Sequence, residues 1–192
     1  MANKVLYGLS QAAYAVATFA TDGSVSYSTP VSLPGSVSLS LDAQGDLTTF
    51  RADNMDYWTS QSNTGYQGDY EIAKLPDSFY TDILKAINDT NGLNVEVVDP
   101  DTVHFAFLFQ VEGDKNAVRH VLYNCTAGRP SVAGSTTAES IEPNTQTVQI
   151  TAHPIEFSTL TKPVIKAKAE EASASTAYIS WFSAVQTPAA SA

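Results

Sequence analysis

The side chains most able to do chemistry are few. The chain holds one cysteine, Cys125, and three histidines, His104, His120 and His153. Cys125 and His120 sit in "AVRHVLYNCTAGRPS", residues 117–131, which alternates like a strand and ends in a Gly128–Pro130 turn. Read as an unbroken strand, an odd spacing turns His120 and Cys125 to opposite faces, with Cα atoms about 16 Å apart at roughly 3.3 Å per residue. They are not a nucleophile and its base, and Cys125 is read as a buried structural residue. No pair of His or Cys has zinc spacing, and His104 is read as a satisfied histidine at the edge of a core. Asp42, Asp46, Asp53 and Asp56 are close in sequence, yet lack the order of a calcium loop and its closing glutamate. There is no Gly-rich phosphate loop and no G-x-S-x-G. The expectation is therefore no catalytic residue, no metal and no cofactor, in a protein that is not an enzyme.

Composition narrows the class. A chain of 192 residues suits one domain with a real core. Only 16% of residues are charged, below the typical quarter, and the formal net charge is −10. The imbalance lies in residues 1–112, with 14 acidic against 4 basic residues, whereas residues 113–192 carry 6 of each. That excludes a nucleic-acid grip, which needs clustered Lys and Arg, but not a surface that DNA passes without sticking. A single cysteine suits a reducing compartment. The opening run is broken by Ser10 and Gln11 and does not read as a signal peptide. "FAFLF" is too short to span a bilayer, so no membrane partner is expected.

The elements that position these residues are mostly strands. "SVSLSLDAQGDLTTFRA", residues 36–52, reads as a hairpin turning at Gly45, with Val37, Leu39 and Leu41 on one face and Ser36, Ser38 and Ser40 on the other. Residues 53–65 read as a long polar loop. Its Met55, Tyr57 and Trp58, with Tyr66 just beyond, make it a candidate contact loop. One helix is predicted over about 76–89, Pro76 at its first position and Phe79, Tyr80, Ile83, Leu84 and Ile87 on its apolar face; of these, Phe79, Ile83 and Leu84 are taken as core. Asn91-Gly92 ends it. Residues 103–125 form a second hairpin with a central strand, and 146–152 an amphipathic strand with Thr147, Gln149 and Thr151 on one side. The Ala/Ser-rich segment 167–192 has "AYISWF" as its last strand.

The order of elements, and the phrases "GYQGDYEI", "FAFLFQVEGD" and "YNCTAGRPS", resemble the major tail proteins, or tail tube proteins, of long-tailed non-contractile bacteriophages of Gram-positive hosts. The likeness runs through residues 5–182 in order. It departs where "DILKAINDTNG" lacks a glycine soon after its Ile-Leu pair, which predicts a longer helix here. The resemblance implies a mainly β (α+β) fold, an antiparallel β-sandwich of the tail-tube type with one flanking helix, as a single domain over 1–192. It implies hexameric rings stacked into a tube around the tape-measure protein, capped by tail terminator and distal tail proteins. DNA passes through without specific binding, and the protein belongs to the virion after assembly in the host cytoplasm.

Three assignments follow. Met55, Tyr57, Trp58 and Tyr66 are candidate contacts between subunits or rings. Ser36, Ser38, Ser40, Thr147, Gln149 and Thr151 are candidates for the channel wall, being short, polar and never basic. Cys125 is a scaffold residue, and Asn124 and Arg129 tie down backbone at the exit turn. The alternative is a carbohydrate-binding surface or adhesin β-sandwich, with Tyr57, Trp58 and Trp181 as sugar platforms.

Overall fold

A 14-residue strand, β1 (Leu6–Phe19), organises the fold by serving three partners. Its start and middle pair with β10 (Phe105–Gly113), and its free edge takes β2 (Val25–Tyr27) and β3 (Val31–Leu33). The structure is a computed structural model that describes residues 3–132, 134, 136, 143–170 and 175–189. The other strands are β4 (Ser36–Gln44), β5 (Leu47–Ala52), β6 (Met55–Gln61), β7 (Gly65–Ile72), β8 (Ile87–Asn88), β9 (Asn94–Val95), β11 (Val118–Ala127), β12 (Gln146–Ala152) and β13 (Lys166–Glu170). The helices are α1 (Asp77–Asp82) and α2 (Ser175–Ile179).

Strand accounts for 50% of the structure and helix for 6%, a mainly β protein. The principal sheet is antiparallel, in the order β2-β1-β10-β11-β12-β7-β4, with β3 added on β1 and β13 on β11. It folds over so that β4, at one end, comes against β1 near the other. That arrangement is compatible with a β-sandwich. β10 is central, and its residues 105–110 are buried on both faces, as its unbroken apolar run requires.

Two apolar clusters fill the two sides of the sheet. One gathers Tyr14, Tyr70, Phe105, Phe107, Leu122, Cys125, Val148 and Ile150, and is closed by Phe79, Ile83 and Leu84 from α1 and the residues after it. The other packs Ala106, Leu108, Val121 and Tyr123 beneath Trp181. The Trp181 indole donates to the His120 carbonyl (3.3 Å), and the Arg119 guanidinium lies 3.9 Å from the Tyr178 ring centroid. Burial with this hydrogen bond and cation–π contact holds the last described segment down.

Four expectations are corrected. Residues 36–52 do not close a hairpin on themselves. β4 pairs with β7 and β5 pairs with β6, so β4–β5 and β6–β7 are two long antiparallel limbs joined at Asp53–Asn54. Both turn residues have positive φ, 52° and 61°, the backbone of a tight hairpin turn that Asp and Asn tolerate. Gly45 is not a turn but a close approach, since a Cβ there would lie 1.9 Å from the Ser62 carbonyl oxygen across the ribbon. The expected loop 53–65 is thus mostly strand β6. A ribbon exposed on both faces has no need of apolar alternation, which is why its sequence looks aperiodic.

The helix is short. α1 stops at Asp82, the chain reverses through Lys85 (φ 55°), and Ile87 starts a strand, so Ile87 leaves the apolar face and is exposed. Asn91-Gly92 turns the β8–β9 hairpin instead of ending a helix. There the Asp89 carboxylate accepts from the Asn91 and Leu93 amides. "AYISWF" lies in α2 and the turn after it, not in a strand. Tyr178, Trp181 and Phe182 recur at spacings of three and four and together meet the second cluster. The strand of this region is β13, upstream of it.

Candidate functional site: a projecting ribbon and a polar sheet face

Cys125 is fully buried, and burial pushes its thiol well above the usual range, so it is inert. His120 and Cys125 share a face of β11, against the parity expected from sequence. Phe105, Phe107 and Phe109 pair with Cys125, Leu122 and His120, and the register shift between the first two pairs realigns the strand. His120 stacks on Phe109 at 5.0 Å between centroids. Burial, then the neighbouring Lys166 and Lys168 charges, lowers its pKa to about 4. His104 Nδ1 and Asn124 Oδ1 are 2.7 Å apart, and Asn124 Nδ2 donates to the Pro154 carbonyl. Arg129 pairs with Glu96 at 2.8 Å and donates to the Val97 carbonyl, pinning the loop after β9. Among the described residues no group of three His, Cys, Asp or Glu can hold a metal. No described helix is long and apolar enough to cross a membrane. Asp42, Asp46, Asp53 and Asp56 are strung along the ribbon rather than gathered, and Asp56 is taken by Arg51 at 2.9 Å. Trp181, a sugar platform in the alternative reading, is buried.

The distinctive feature is the ribbon. Its root, β4 and β7, belongs to the main sheet. Its outer half, β5 and β6, pairs only with itself, and from Leu47 to Gln61 every described residue but Ala52 is exposed. From Gln44 to the tip it reaches about 30 Å at roughly 3.3 Å per residue. Phe50 pairs with Trp58 and Ala52 with Met55; cross-strand partners share a face, so these four make one apolar side. The register shift between Phe50 and Arg51 leaves Tyr57 as the bulged residue, and the Arg51–Asp56 ion pair lies on the other side. Three of the four contact candidates, Met55, Tyr57 and Trp58, therefore come together. Tyr66 stays at the root, half-buried, with the Lys166 ammonium 4.2 Å from its ring centroid. Leu47 and Phe50 are equally exposed on the ribbon and were not among the candidates. Reading Asp53-Asn54 as a hairpin turn would have set Phe50 opposite Trp58.

The polar face is formed by three strands in register. Ser38 lies beside Glu71 and Glu71 beside Thr147; Ser40, Asp69 and Gln149 make the next row; Asp42, Gln67 and Thr151 the third. Five of the six wall candidates thus share one face, with Leu39, Leu41, Tyr70, Val148 and Ile150 turned to the core behind them. Ser36 is the exception. A register shift between Ser36 and Ser38 turns it inward, its hydroxyl 2.7 Å from Tyr70 Oη. Sequence reading did not place Asp69 and Glu71 here, because β7 was not known to lie between β4 and β12. The Ser38 and Thr145 hydroxyls donate to the two Glu71 oxygens (2.8 and 2.5 Å) and hold this carboxyl below its ordinary range, Thr145 contributing most. The face carries three carboxylates, and its three strands contain no Lys or Arg. No protein-family model matches the chain, and no curated protein matches it.

Proposed function

We propose that the chain is a structural subunit of a phage tail, a tail tube protein of the long-tailed, non-contractile type, assembling as stacked hexameric rings around a tape-measure protein. The observation that carries this reading is the β5–β6 ribbon, which stands clear of its own fold and exposes Phe50, Met55, Tyr57 and Trp58. A monomer has no use for such a limb, and exposed apolar patches of this extent mark association surfaces. In this reading the ribbon is the contact between copies. The face of Ser38, Ser40, Thr147, Gln149 and Thr151 lines the channel. DNA sliding past basic residues would be held at each phosphate, whereas a neutral-to-acidic wall lets it run. Terminator and distal tail proteins close the two ends, and the subunit resides in the virion after assembly in the host cytoplasm.

Negative-stain microscopy of the concentrated full chain is the test. Rings or tubes are expected, and a protein that stays monomeric at high concentration would overturn the reading.

A further inference from the structure

Asn91-Gly92, in the β8–β9 turn, is the one Asn-Gly step in the chain, and the proposed assembly makes no use of it. Such a step has a chemistry of its own. The Gly92 nitrogen attacks the Asn91 side-chain carbonyl carbon. A C–N bond forms, the side-chain nitrogen leaves as ammonia with the proton that the Gly92 nitrogen gave up, and a cyclic imide remains. Water then opens the imide to aspartate or isoaspartate. Glycine favours the attack because it has no Cβ to hinder the approach. Every other asparagine is followed by a residue that carries a side chain. The step is open to solvent: Asn91 and Gly92 are exposed, and a Cβ on Gly92 would meet nothing within 4 Å.

Asp89 ties down both reacting groups. The Asn91 side-chain amide donates to Asp89 Oδ2 (3.2 Å), which fixes the carbonyl that must swing onto Gly92. The Gly92 N–H donates to the Asp89 carbonyl (3.2 Å), which retains the proton that the attack must shed. Asp89 Oδ1 accepts from the Asn91 and Leu93 amides (2.9 and 2.7 Å), and the Asp89 N–H donates to the Leu93 carbonyl (2.9 Å). These bonds hold the Asp89 carboxyl below its ordinary range, the Leu93 amide contributing most. A carboxylate here also opposes the negative charge that builds on the Gly92 nitrogen during attack. We infer that Asn91 is a latent deamidation site and that Asp89 is the clamp that keeps it closed. Reaction then proceeds only through local opening of the turn, at the intrinsic rate scaled by the open fraction. Conversion to aspartate removes the Nδ2 donor and sets a second carboxylate against Asp89, where the two repel. The hairpin has only two residue pairs to resist this, so the turn stays open once Asn91 has reacted.

The test incubates the full chain at mildly alkaline pH and follows the peptide holding Asn91 by mass spectrometry, which reads the exchange of amide for acid directly. Folded wild-type protein should convert at Asn91 about tenfold or more slowly than the same chain unfolded in urea. Folded Asp89→Ala should recover most of that difference, since it loses three hydrogen bonds to charged oxygens. Asp89→Asn keeps the shape, drops the charge and should fall between the two. Hydrogen exchange at β10 and β11 checks that the body of each variant is folded, and if Asp89→Ala is not, Asp89→Asn decides alone. A folded variant that converts no faster than wild type would show that Asp89 is not the clamp. Folded wild type converting as fast as the unfolded chain would show that there is none. Either result overturns the inference. Asn91→Asp stands in for one product, and its Leu93 amide should exchange about tenfold faster than in wild type. Unchanged protection there would overturn the claim that reaction opens the turn.

Discussion

Removing the Trp58 indole is expected to separate folding from the proposed assembly. Within its own chain Trp58 pairs with Phe50 across the ribbon, and one cross-strand aromatic pair is worth about 0.2–1 kcal/mol. For a chain of this size that lowers Tm by no more than about 4 °C. Assembly is different. Trp58 is 55% exposed, so of the roughly 250 Å² such a side chain can bury about 140 Å² remains open. At about 25 cal/mol per Å² its burial against a neighbour is worth about 3 kcal/mol, and aromatic anchors at interface centres cost about 2 kcal/mol or more when truncated. Trp58→Ala should therefore weaken association roughly 30- to 150-fold per contact. Sedimentation velocity across a concentration series measures this, beside a thermal melt of dilute protein. A variant that assembles at the wild-type concentration refutes the assignment of the ribbon as a contact. A Tm fall of 10 °C or more would show that Trp58 supports the fold.

Other outcomes follow from the same geometry. On the proposed tail-tube reading, Ser38→Lys with Gln149→Lys should leave tubes intact and slow DNA ejection; normal ejection would place that face outside the proposed channel. Gly68→Ala would put a Cβ 1.8 Å from the Ser40 carbonyl oxygen, so β4 must shift. A loss of more than about 2 kcal/mol in urea unfolding is expected, and a loss under 0.5 would contradict the close approach. His120 has its folded pKa lowered to about 4 from an ordinary 6.5, so its contribution is complete above pH 6.5 and is lost as pH falls from there towards 4. Allowing for its partial exposure the loss is on the order of 1–2 kcal/mol. His120→Gln should flatten the stability slope between pH 7 and 5, and an unchanged slope would reject the assignment.

Legibility in the sequence tracked burial. β10 and β11 were readable because both faces are packed, and so was the apolar face of Phe79, Ile83 and Leu84. The alternation of β4 and β12 separated a core side from a polar side, which is why five wall candidates share a face. What failed lay where tertiary contacts replace periodicity. The ribbon packs on nothing, so its strands carry no alternation, and Gly45 imitates a turn while serving a close approach. Register shifts were equally hidden. One turns Ser36 inward and another brings His120 and Cys125 to one face, and neither leaves a mark in residue type. The end of α1 was missed because Lys85 gives no sign of its left-handed backbone, where a glycine would have.

The joining of β4–β5 and β6–β7 into two unbroken limbs bears on mechanics. Ladder hydrogen bonds lie across the strands, so a pull along the ribbon loads many of them in shear at once, whereas a loop would simply straighten. The root at β7 is laced to β12, and β12 to β11, so tension applied at Asp53–Asn54 is handed into the middle of the sheet. The limb therefore behaves as a cantilever anchored in the body of the protein. Its tip can bend sideways with the twist of a two-stranded ribbon, but it resists being drawn out. If copies join through this limb as proposed, a chain of them would flex between neighbours while keeping its length under load.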